Sequence, residues 1–243
     1  MTAVGIFARV GAFLFLMPGI GERGIPMRLR LGAALALTFL LTPLVRPLVA
    51  ETPSDVPGLA LMLSAEALAG LVIGFGFRML VYALQIAGTT AAFHLSLSHI
   101  FGTPVGDAEP TIATFLAMGG IVLAISVGLH IQAVAALAGL YDVLPFGRFP
   151  SGSDLSELSV RRTAEVFALG VALAFPFIAI SFAYNLALGA LSRAMPQLLV
   201  ALIGVPLLVG LGLITLYLAL PHIYDRWAEA LRAILANPLG SIG

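Results

Sequence analysis

The chain has 243 residues, of which 60% are hydrophobic and 10% charged, with twelve basic side chains, all arginine, balanced by twelve acidic ones. A soluble domain carries about a quarter charged residues, so a mean hydropathy of +1.08 excludes that class, and zero net charge leaves no electrostatic footprint for a nucleic acid. The absence of cysteine excludes disulfides, thiolate chemistry and cysteine-built metal sites.

Six apolar blocks follow one another, at roughly residues 4–20, 31–49, 59–99, 111–140, 163–191 and 198–221. Runs of this kind suit helices that rise ~1.5 Å per residue through a ~30 Å hydrocarbon core. The expected fold is therefore an all-α integral membrane protein. The opening "MTAVGIFARVGAFLFLMPGI" has no basic stretch ahead of its apolar part and no small-x-small cleavage pattern, so a retained first helix is expected. The third block is too long for one span and is expected as a tilted pair of helices broken near Ala87–Gly88, or as one helical hairpin. Residues 145–162, "PFGRFPSGSDLSELSVRR", form a polar connection in which Pro, Gly and Ser stop one helix and Ser153 or Asp154 caps the next. The last stretch, "HIYDRWAEALRAIL", places Ile223, Trp227, Ala230, Leu231 and Ile234 at spacings of three and four. That spacing predicts a short amphipathic helix near 222–236, fit to lie at the membrane interface.

Loop arginines divide four against six between the two sides, so they leave the orientation open. Pro43, Pro47, Pro176 and Pro206 interrupt apolar blocks, and the carbonyls that proline frees in lipid must be re-satisfied by neighbouring helices or water. "GLVIG", Gly70 to Gly74, is a small-xxx-small face that lets another helix approach, either in this chain or in a partner. Arg9, Glu66 and Arg78 fall inside predicted helices, where an unpaired charge costs about 2.5 kcal/mol or more at mid-bilayer. Glu66 and Arg78 are ~18 Å apart along one helix and need separate partners. The arginines can either snorkel to an interface or pair. The short Glu66 stem cannot reach far, so it is expected to cap or accept from another helix, in this chain or a neighbour. His94 and His99 sit ~140° apart around a helix, and no HExxH, GxSxG or P-loop occurs. No catalytic, cofactor-binding or metal residue is expected, and no enzyme.

Several stretches carry a likeness. "RVGAFLFLMPGIGERGIPMRLRLGAALAL" sets Arg9 before an aromatic-rich helix, then Pro18, Pro26 and Arg28. "EALAGLVIGFGFRMLVYALQIAGTTAAF" carries Glu66, Gly70, Gly74, Phe75, Ala87 and Gly88. His130 and "LPFG" follow, and "LSRAMPQLLVALIGVP" holds Arg193, Pro196 and Gln197 in an R-x-x-P-Q signature. In this order, over nearly the whole chain, they resemble the FliR family of flagellar export-gate proteins, whose injectisome relatives are the SctT proteins. Leu199 and Ala201 depart from the pattern, near places where the family commonly has an Asn and an aromatic.

The resemblance implies a single membrane-embedded export-gate domain over 1–243, made of bent helical hairpins partly raised above the membrane plane within a helical pore-forming assembly. Its partners would be FliP-like and FliQ-like gate subunits and a FlhB-like export protein, in the bacterial inner membrane at the flagellar basal body. Unfolded flagellar proteins would pass through the pore, and a central loop would plug it when closed. Here the plug falls on Phe101, Gly102, Thr103, Pro104, Val105, Gly106, Asp107, Glu109 and Pro110. Its glycines and prolines deny it a regular helix, and Asp107 and Glu109 need water or partners. Arg193, Pro196 and Gln197 would form a hairpin tip, with Arg193 and Gln197 one turn apart and able to bond carbonyls of a neighbouring helix, and Pro196 fixing the turn. With Glu66, Gly70 and Gly74 they make up the expected assembly contacts. For Arg193 the alternative is a positive loop residue that orients the hairpin. For the chain the alternatives are a virulence (injectisome) export-gate subunit and a small secondary transporter with a midplane site near Glu66 or Arg78. No cofactor is implied.

Overall fold

Helix is the only regular structure among the described residues of the computed structural model, which are 1–22, 24–49, 53–94, 111–194 and 200–240. In hydrocarbon the backbone must satisfy its own polar groups, and a helix does so within one segment. In chain order the helices are α1 (Thr2–Leu16), α2 (Met27–Val45), α3 (Val56–His94), α4 (Thr111–Ser126), α5 (Leu129–Val143), α6 (Gly152–Ala194) and α7 (Val200–Ala236). A 3-10 turn, Arg46–Leu48, follows α2. The stretches Met27–Leu48, Val56–His94, Gly152–Leu191 and Pro206–Ala236 are each long and apolar enough to cross a membrane, and α4 with α5 adds a broken fifth. This is an all-α integral membrane protein. At most 33% of the most apolar window of each of those four stretches is buried inside the chain, so lipid or other proteins must cover the remainder.

The third apolar block is neither a broken pair nor a hairpin within its described part: α3 runs without interruption through Ala87–Gly88 to His94. A glycine costs a helix interior only about 1 kcal/mol relative to alanine and leaves the hydrogen-bond ladder intact. Gly88 serves packing instead, because a Cβ there would run into the backbone of Ala113 on α4. The fourth block does divide. Gly128 adopts φ 80 in the left-handed region, which ends α4 and starts α5.

The polar connection is also half helix. α6 begins at Gly152, and its cap is Ser151 rather than Ser153 or Asp154: the Ser151 hydroxyl accepts from the Asp154 N–H at 3.1 Å. At the other end, residues 222–236 are the closing turns of α7, continuous with its apolar part through Pro221, and not a separate helix. Ile223, Trp227, Ala230, Leu231 and Ile234 are all buried in the chain, so the stripe read from their spacing faces protein and not a membrane interface.

The described residues gather into two compact units, one within Met1–Leu80, Ala124–Glu165 and Ala230–Gly243, the other within Val81–Leu123 and Val166–Glu229. In the first, α1 packs along α2 and α2 against α5, and Phe13 meets Phe77 edge-to-face at 6.0 Å. The turn from α1 to α2 is pinned through Glu22, whose carboxylate takes Arg78 at 2.6 Å while its backbone carbonyl takes Arg30. In the second, the Tyr224 hydroxyl reaches the Leu116 carbonyl at 3.4 Å across the space left by Gly119.

Candidate functional site

Two fully buried charges lie at the centre of the first unit. Arg9 of α1 and Glu66 of α3 are both 0% exposed. Arg9 Nη2 donates to Glu66 Oε1 at 2.9 Å, and Arg9 Nε lies 2.9 Å from Oε2 as a close ion contact without hydrogen-bond geometry. Desolvating the two ions costs several kcal/mol each, and such a pair holds only where further bonds satisfy what remains. They do here. Arg9 Nη2 also donates to the Leu144 carbonyl at 3.0 Å, and its guanidinium carbon stands 3.8 Å from the centroid of the Tyr141 ring. Glu66 Oε1 accepts the Gly147 N–H at 2.8 Å, and Oε2 accepts the Tyr141 hydroxyl at 3.4 Å.

The local sequence explains how these groups meet. One turn beyond Glu66, Gly70 lies so close to α1 that a Cβ would overlap the Arg9 carbonyl oxygen. One turn further, a Cβ on Gly74 would stand 2.9 Å from Leu16 Cβ and 3.0 Å from the Phe13 carbonyl oxygen. The small face thus brings the α3 backbone onto α1, close enough for the short Glu66 stem to reach Arg9. After α5 the chain turns through Leu144-Pro145-Phe146-Gly147. Gly147 sits at φ 71, which favours glycine, and this geometry delivers its N–H to Glu66. Phe146 stacks on Tyr141 with ring centroids 6.4 Å apart. Both Glu66 oxygens are engaged, and the cluster acts as a brace that ties α1, α3, α5 and the turn after it.

Of the residues expected at functional positions, Glu66, Gly70 and Gly74 come together. All three are buried, and their contacts run to other helices of the same chain. Arg9 pairs and does not snorkel, and Arg78 pairs with Glu22 at partial exposure. Arg193 is exposed in the last turn of α6. Pro196 and Gln197 lie outside the described residues, as does the expected plug, Phe101 to Pro110. Sequence reasoning missed Tyr141, Leu144 and Gly147 as partners of the pair; the signal was a glycine closing a Pro-Phe turn just after an apolar helix. It also missed Arg162, 1% exposed, whose Nη2 donates to the Pro238 and Gly240 carbonyls at 3.1 and 2.7 Å. Among the described residues no group of His, Asp and Glu could hold a metal ion.

Residues 1–234 match the family described as bacterial export proteins, family 1. The flagellar biosynthetic protein FliR of Caulobacter vibrioides is 39% identical over 236 residues, covering 96% of this chain and 94% of its own. The chain belongs to the FliR family. FliR of Escherichia coli is 31% identical over 242 residues, covering 96% of this chain and 89% of the relative, and FliR of Aquifex aeolicus is 32% identical over 224 residues, covering 92% and 86%. In this FliR-family chain the opening arginine, the Glu-Gly block and the LPFG turn, well separated in sequence, meet at one buried point.

Proposed function

We propose that this chain is a subunit of the membrane export gate of a bacterial flagellar type III secretion apparatus, set in the inner membrane at the basal body. It helps form and close the pore through which unfolded flagellar proteins pass. The likeness over nearly the whole chain to relatives named flagellar biosynthetic protein FliR carries this reading, and the same names favour a flagellar over an injectisome system. The structure supports it through long helices whose outer faces are apolar and exposed, Phe167, Phe175, Phe182 and Leu186 of α6 among them. Such faces suit lipid or the helices of FliP-like, FliQ-like and FlhB-like partners.

Within this proposal Arg193, Pro196 and Gln197 contact a partner directly. Glu66, Gly70 and Gly74 act from inside, holding α1 and α3 at the spacing a neighbour meets. The segment Phe101–Pro110, between α3 and α4, plugs the closed pore. Deleting the gene should abolish swimming and the secretion of hook and filament proteins, and a plasmid copy should restore both. A deletion strain that still secretes them would overturn the assignment, as would a purified chain that travels alone and carries a small solute across vesicles. Arg193→Ala should lower recovery of FliP-like and FliQ-like partners in a mild-detergent pull-down about fivefold, the equivalent of ~1 kcal/mol. Full recovery would remove Arg193 from the contact.

A further inference from the structure

Residues 166–192 of α6 contain no Asp, Glu, Lys or Arg, yet the exposed face of that run carries an amide, Asn185. Its nitrogen turns back on its own helix, donating to the Ser181 carbonyl at 2.8 Å and to the Ser181 hydroxyl oxygen at 3.3 Å. A backbone carbonyl can only accept, so it fixes which end of the amide is the nitrogen. The Oδ1 atom is thereby left on the outer side, with no donor among the described residues.

The mixed character of this face decides what can cover it. At 100° per residue, Phe182, Leu186, Gly189 and Arg193 all lie within about 100° of Asn185 around the helix, and all are exposed. Lipid would suit Phe182 and Leu186 but leave Oδ1 without a donor, which hydrocarbon penalises. Water would satisfy Oδ1 but wet Phe182 and Leu186 together with Phe175 two turns back, an apolar patch of the kind that marks interaction sites. The conflict is the same at any depth relative to a bilayer. A second copy fails for another reason. Copies that share one orientation bring their α6 helices together in parallel, which sets Oδ1 against Oδ1 while the N–H groups of each amide are held by Ser181. A different apolar helix with a side-chain O–H or N–H opposite Oδ1 meets both demands, and polar side chains join membrane helices in this way. Gly189 leaves room for it: a Cβ there would meet nothing within 4 Å in this chain, so a partner backbone can come close.

We propose that the Asn185–Gly189 face of α6 receives an apolar helix of another gate subunit, which donates a side-chain hydrogen bond to Asn185 Oδ1. The inference rests on the reading of this chain as one subunit of the export gate. It extends the Arg193 contact by two turns along the same face.

The full-length chain, co-expressed with FliP-like and FliQ-like subunits, is recovered with them in mild detergent. Asn185→Leu should lower their recovery about threefold, the order of one hydrogen bond between membrane helices. Asn185→Gln keeps the amide and should fall between. Gly189→Leu fills the approach and should lower recovery about tenfold. The Tm of the chain alone should not fall in Asn185→Leu, because the bonds of Asn185 stay within α6. A photoreactive amino acid in place of Leu186 should cross-link a FliP-like or FliQ-like subunit. Adducts to lipid alone or to a second copy would overturn the proposal. So would a Tm that falls with Asn185→Leu, because the donor would then lie in this chain. Recovery unchanged in Asn185→Leu would sink this contact alone, whereas a wild-type chain that recovers neither subunit would overturn the proposed function with it.

Discussion

Glu66→Ala is expected to destabilise the chain by about 3–5 kcal/mol, the loss found when one partner of a buried ion pair is removed. Against total stabilities of about 5–15 kcal/mol this is a large share. The variant leaves the Arg9 guanidinium fully buried without its carboxylate, and it takes the acceptor from Gly147 N–H and from the Tyr141 hydroxyl. The expected readouts are a depleted membrane fraction and a clearly lower Tm in detergent. Glu66→Gln keeps an acceptor for Gly147 but not the charge, and should fall between. The pair Arg9→Met with Glu66→Leu should do less harm than Glu66→Ala, because both charges leave together and apolar groups fill the space. A wild-type Tm for Glu66→Ala would show that the brace does not hold the unit. A double variant worse than either single would show that the pair is favourable in its own right, beyond the avoidance of a lone buried charge.

The need for this brace was legible in the sequence, because a glutamate inside an apolar block must find a partner. Which partner was not. Arg9 lies 57 residues away, and hydrophobic periodicity holds no information about contacts at that separation. The same limit applies elsewhere. The small face at Gly70 and Gly74 was readable as a face, but not α1 as the helix against it. The stripe from Ile223 to Ile234 was readable as a stripe, yet spacing fixes only where apolar groups point, and a buried stripe and an interfacial one have the same period. Element boundaries failed where composition is uniform. Nothing apolar changes across Gly128, so only its backbone geometry separates α4 from α5. Conversely, Ala87–Gly88 suggested a break that tertiary packing on Ala113 turns into a contact. The polar connection misled for a different reason: charged residues mark the water-facing start of α6 as readily as they mark a loop.

The same separation between a visible face and its hidden partner sets the second large effect. Gly70→Ala should lower stability by about 1–3 kcal/mol, the usual range for overpacking, and Gly70→Val by more. The obstacle is main chain. A Cβ at position 70 overlaps the Arg9 carbonyl oxygen before it meets any side chain, with Ala12 Cβ next at 3.0 Å. Relief therefore requires α1 and α3 to move apart, and that movement also pulls Arg9 from the 2.9 Å contacts that hold Glu66. Two comparisons isolate this cause. Gly11→Ala on α1 and Gly139→Ala on α5 have nothing within 4 Å of the added carbon, so they should leave Tm unchanged or raise it slightly through better helix propensity. Ala12→Gly combined with Gly70→Ala should not rescue, since it clears the side chain but leaves the carbonyl in place. Full rescue by Ala12→Gly would mean that the helices meet through side chains alone, and Glu66 would then have to reach Arg9 by some route other than the backbone contact at Gly70.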